Sequence, residues 1–160
     1  MAASSSSSAS GLSKEEQQAV KDRARELRQS KKRISKAERE ALEAEEVATS
    51  IAGLDELDRT IALAVQRIAN EVDPELKARL WYGMPAFTKN GKVIMHLLPA
   101  GKFHTRYATL GFEDSARLDE AEAWPVAYAI TGLGEETESL IRRTITNAVQ
   151  STVQNRPQGD

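Results

Sequence analysis

The dipeptide Asn90-Gly91, held between Lys89 and Lys92, constrains this chain more than any other string in it. It is the sequence of a two-residue type I′ hairpin turn, which needs positive φ at both central residues and joins antiparallel strands. Strands over residues 84–89 and 92–98 follow, because side-chain character alternates with period two after Trp81. All the aromatic residues, two Trp, three Tyr and three Phe, fall between Trp81 and Tyr128. The sheet and its packing surface therefore belong in that window. Pro99-Ala100-Gly101 reads as a second turn leading into a strand over residues 102–110, and a further short strand is expected over 126–131.

Helical signals flank the window. Ser13 with Glu16, and Ser35 with Glu38, are capping-box pairs, in which the serine oxygen accepts the N3 amide and the glutamate reaches back. The first predicts a helix over about residues 14–28 with a thin apolar stripe of Val20, Ala24 and Leu27. The second predicts a helix from about Lys36, with a frayed junction near Ser30. Arg28, Lys31, Lys32, Arg33, Lys36 and Arg39 are followed at once by Glu40, Glu43, Glu45 and Glu46, a pattern that suits a solvated helical arm stabilised by i,i+4 pairs. Leu54, Leu57, Ile61, Leu63, Ala64, Val65 and Ile68 then recur at helical spacing. Asp73-Pro74 supplies an N-cap and N1 proline for a short helix to about Leu80. Glu135, Glu136 and Glu138 open a terminal helix and complement its dipole.

The expected fold is α+β: a small antiparallel sheet packed against helices, with an N-terminal charged helical arm. The expected divisions are a Ser-rich tail over 1–12, the arm over 13–50, the α+β domain over 51–153 and a loose tail over 154–160.

Charge and composition exclude several function classes. With 22 Lys+Arg against 24 Asp+Glu, no global field favours nucleic acid. The absence of cysteine removes disulfide frameworks, thiolate metal sites and cysteine nucleophiles. No apolar run approaches the roughly 18–20 residues that span a bilayer. The first eleven residues, MAASSSSSASG, lack both the charged and the apolar regions of a secretory signal, so a cytoplasmic location is expected. HExxH, GxSxG and GxxxxGK[ST] are all missing, and a non-enzymatic role is the reading.

Two constellations remain. If Pro99 to Gly101 is a three-residue loop, His96 faces His104 across the hairpin with Cβ atoms about 5 Å apart, close enough to share a metal or anion. Alternation also puts Lys102, His104 and Arg106 on one strand face, where they could orient an anionic group, or simply form a polar outer face. Tyr82, Met84 and Trp124 would supply apolar walls, with Trp81-Tyr82-Gly83-Met84-Pro85-Ala86-Phe87 at the start of a strand, either beside a pocket or as a small core where helix meets sheet. Glu113, Asp114, Asp119, Glu120 and Glu122 suit a hard cation or a solvated loop.

WYGMPAF at residues 81–87, NGK at 90–92, KFHTRYATLGF at 102–112, LDE at 118–120 and WPVAYAI at 124–130 resemble the YdhG-like family, a bacterial domain that includes a frataxin-like iron chaperone. The resemblance covers residues 54–149. It implies an α+β fold and brings iron in as the metal to consider, without assigning ligands residue by residue. The expected function is binding of a small anionic ligand or metal ion, with a protein-interaction role for residues 13–50 as the alternative.

Overall fold

The computed structural model describes residues 11–30 and 34–150. Helix α1 (Lys14–Ser30), α2 (Lys36–Ala52) and α3 (Glu56–Val72) precede the strands β1 (Lys77–Trp81), β2 (Met84–Lys89) and β3 (Lys92–Leu98). A single helical turn, α4 (Ala100–Phe103), leads to β4 (Ala108–Phe112) and β5 (Ala127–Ile130), and α5 (Glu135–Val149) closes the described chain. The fold is α+β, with one antiparallel five-stranded sheet in the order β1-β2-β3-β4-β5. No helix among the described residues is long and apolar enough to cross a membrane.

Both capping boxes form. Glu16 N–H donates to Ser13 Oγ and Ser13 N–H to Glu16 Oε2, at 3.2 and 3.0 Å. The Ser35–Glu38 pair repeats this at 3.1 and 3.0 Å. At the other turn signal, Asn90 and Gly91 have φ of 53° and 77°, the left-handed pair that type I′ requires.

Period-two alternation gives the sheet two unlike faces. Register aligns Ala78, Phe87, Met95 and Phe112 across four strands, and Leu97, Leu110 and Tyr128 across the last three. These residues meet Val47 and Ile51 of α2, Ile61, Val65 and Ile68 of α3, and Ile141 and Ile145 of α5 in one apolar core. The opposite face carries the row Arg79, Ala86, His96, Gly111 and Ala127.

Three expectations are corrected. The arm over 13–50 is not solvated throughout, because Val47, at 0% exposure, belongs to the core. Residues 74–80 do not form a helix. Asp73 instead makes a tight turn, accepting Glu75 N–H at its side chain and Leu76 N–H at its carbonyl, and Lys77 to Trp81 pair as a strand. Its alternation, Ala78 and Leu80 inward and Arg79 and Trp81 outward, outweighs the N1 signal of Pro74.

The third correction is the connection after Pro99. It is a helical turn and a loop, and only residues 108–110 of the expected 102–110 strand are extended, at the start of β4. The cause is Asp58 of α3, buried at 4% exposure, whose carboxylate accepts Ala100 N–H at 3.0 Å and Gly101 N–H at 2.8 Å. That cap comes from a helix some forty residues upstream and is invisible to local pattern. Residues 1–10 of the expected 1–12 tail and all of the expected 154–160 tail lie outside the described residues, as do 31–33 at the expected frayed junction.

Candidate functional site

The β1–β2 connection is a second tight hairpin. Tyr82 and Gly83 have φ of 51° and 75°, so the WYGM string is itself a two-residue turn between paired Trp81 and Met84. Tyr82 stands 41% exposed against Trp81 in an edge-to-face contact, with ring centroids 5.0 Å apart, while Met84 is buried.

Helix α4 ends beside this turn. His104 takes φ 54°, the left-handed conformation that closes a helix. Lys102 Nζ donates to Gly83 O at 2.8 Å. Side chains from α1 reach the same place: Gly83 N–H donates to Glu26 Oε1 at 3.1 Å, Lys102 Nζ lies 3.9 Å from Asp22 Oδ2, and His104 Nε2 lies 2.9 Å from Glu15 Oε1. Arg23 stacks over Tyr82 at 5.4 Å from the ring centroid. The approach is tight enough that a Cβ on Gly83 would come within 2.5 Å of Asp22 Oδ2 and 2.8 Å of Lys102 Nζ. Glu15 titrates below the usual carboxylate range, chiefly through its backbone hydrogen bond at the helix start and then through His104.

Tyr82, Met84 and Lys102 are therefore gathered at one end of the sheet, with His104 beside them in the same connection. Arg106 is exposed in that connection and stacks on Tyr107 at 5.2 Å. They do not share a strand face, as the sequence pattern implied, because α4 and the following loop replace that strand. Trp124 does not join them. Connections of a meander alternate between the two ends of the sheet, and Trp124 lies in the β4–β5 connection, beside the Asn90-Gly91 end. There it lines a cleft of about 320 Å³ with Lys92, Glu113, Asp114, Arg117 and Asp119.

The expected pairing of His96 with His104 is overturned by register: His96 faces Gly111, and His104 belongs to the α4 end. Among the described residues, no group of three or more His, Asp or Glu is arranged to hold a metal ion. His96 instead packs on Gly111 and Trp81, its ring centroid 5.3 Å from that of Trp81. Its Nδ1 is buried and lies 3.0 Å from Glu113 Oε1, at ion-pair distance but without the alignment of a hydrogen bond. Burial pushes the imidazole below its ordinary pKa, and Glu113 opposes that shift only in part.

The acids of α1 were missed because they read as solvated surface. Their spacing carried the signal: Glu15, Asp22 and Glu26 are seven and four residues apart, which puts them on one helical face. Asp58 was hidden inside an amphipathic stripe. Comparison of the chain with family models, with curated proteins and with solved structures gives no match.

Proposed function

We propose that this chain is a binding domain for a small anionic ligand, a carboxylate or phosphate compound, taken up where the β1–β2 turn meets α4. One observation carries this reading: Gly83 N–H and Lys102 Nζ lie together at the turn and His104 Nε2 lies farther along the same face of α1, and each faces a carboxylate of α1. A backbone N–H in a left-handed turn beside a lysine and a histidine is the donor set an oxyanion needs. Tyr82 supplies an exposed aromatic flank, and Arg106 an exposed cation in the same connection.

Iron handling has less support, because the two histidines lie apart and, among the described residues, no group of three or more His, Asp or Glu is placed to hold a metal ion. Catalysis has less support too: of the two His–Glu pairs that could do acid–base work, His96–Glu113 has its histidine wedged against Gly111 and Trp81, and His104–Glu15, at 2.9 Å, has no catalytic motif in the sequence beside it. A protein-interaction role for α1 is a second reading, favoured by its Val20 and Leu27, exposed at 55% and 47%, and by Leu12 just before it, exposed at 53%.

Titrating the chain with citrate and with inorganic phosphate, while following backbone amide NMR shifts, tests the proposal. Saturable shifts at Gly83, Lys102 and His104, lost in the Lys102→Ala/His104→Ala double variant, are expected. Shifts that persist unchanged in the double variant would sink it.

A further inference from the structure

We infer that α1 is the resident occupant of this anion surface, a strap whose carboxylates must leave before an external anion can bind. The inference rests on the reading just proposed and adds its regulation.

Three features of α1 support it. Its contacts with the surface run along a single face, where Glu15, Asp22 and Glu26 meet His104, Lys102 and the Gly83 amide in turn. Gln18, one turn before Asp22, donates to Asp22 Oδ1 at 3.0 Å and sets that carboxylate toward Lys102. The occupant thus presents to each donor the same chemical group that a carboxylate or phosphate ligand would present.

The second feature is how little apolar surface holds the helix down. Val20 and Leu27, its large aliphatic side chains, are exposed, as is Leu12 just before it, whereas Ala19 and Ala24 are half-buried. Of the stripe of Val20, Ala24 and Leu27 that the sequence offers as a core face, only Ala24 is half-buried, and Leu27 borders a cleft with Leu42 and Leu80. Docking by partly exposed ion pairs is weak and screened by salt, unlike the apolar anchoring of α2 through Val47 and Ile51.

The third feature is steric. At Gly83 the Asp22 carboxylate sits where even a methyl group would collide, so α1 and a second anion cannot share the turn. Competition, rather than joint binding, is the required outcome.

The test compares the full chain with its Glu15→Gln/Asp22→Asn/Glu26→Gln variant, using inorganic phosphate and citrate as probes. Removing the three charges is expected to tighten binding of either probe by about tenfold or more and to speed hydrogen exchange of the Gly83 amide. Equal affinity in the two chains overturns the strap while leaving the anion surface standing. Failure of both probes to bind either chain overturns the surface and the strap with it. Glu15→Gln alone, at the start of α1 and away from the core, serves if the triple variant does not fold; a rise in affinity of about two- to threefold is expected, and no rise overturns the inference.

Discussion

Asp58 and Gly101 form a joint on which the α4 end of the sheet depends. The two N–H groups held by the Asp58 carboxylate are at the start of a helical turn too short to offer any other partner. Asp58→Ala is expected to cost about 2–3 kcal/mol in urea unfolding, since it removes two charge-assisted hydrogen bonds from part-buried donors. Two glycines that face side chains closely should respond differently to alanine. At Gly101 the new Cβ would meet the end of Asp55, whose side chain makes no cap hydrogen bond and can turn away, and also Asp58 Oδ2 at 3.2 Å, which must give slightly, so about 1–2 kcal/mol is expected. At Gly111 it would meet the His96 ring at 2.5 Å, and that ring is wedged between Trp81 and Glu113, so a loss of about 2–3 kcal/mol is expected. His96 also sets a pH dependence. Its pKa in the folded chain is below the ordinary 6.5, so the unfolded chain binds the proton more readily, and stability falls as pH drops below about 6.5. Urea midpoints at pH 7.5 and 5.5 should diverge, His96→Gln should reduce the difference, and Glu113→Gln, which removes the group favouring the charged form, should enlarge it.

At the scale of elements, the Asn90-Gly91 hairpin and the alternation around it were legible because the turn chemistry is local and admits few alternatives. Helix α5 was legible for the same kind of reason, its acidic first turn preceding a 3.6-period stripe. The Tyr82-Gly83 hairpin was not, since tyrosine rarely takes a left-handed conformation and the string looked like a strand start. The His96–His104 pairing failed for a different cause: a loop length was read from Pro99 to Gly101, while the conformation there is set by Asp58 at long range. The two turns give a comparison. Gly91 has φ 77° with open space around it, and Gly83 has φ 75° with Asp22 and Lys102 packed on it. Both alanine variants carry the left-handed strain of about 1–2 kcal/mol. Gly83→Ala should cost more in urea unfolding and should also release α1, seen as loss of protection at the Gly83 amide.

For the molecule as a whole, the charged N-terminal region divides into parts held by different forces. Ile51→Ala in α2 should cost about 2–5 kcal/mol as a core deletion, whereas Val20→Ala in α1 should stay within about 0.5 kcal/mol as an exposed change; thermal unfolding of the two variants checks this. Composition and charge runs could not separate these parts, because Val47 and Ile51 are two apolar residues among many acids, and only the sheet they pack against reveals their role. A further consequence follows from the order in which the chain is made. Helix α1 leaves the ribosome before Gly83, Lys102 and His104 exist, and synthesis at about 5–20 residues per second leaves it waiting several seconds for its seat. A helix whose docking face is charged can wait in water without sticking to other nascent chains. One that docked through a broad leucine face would need shielding for that interval.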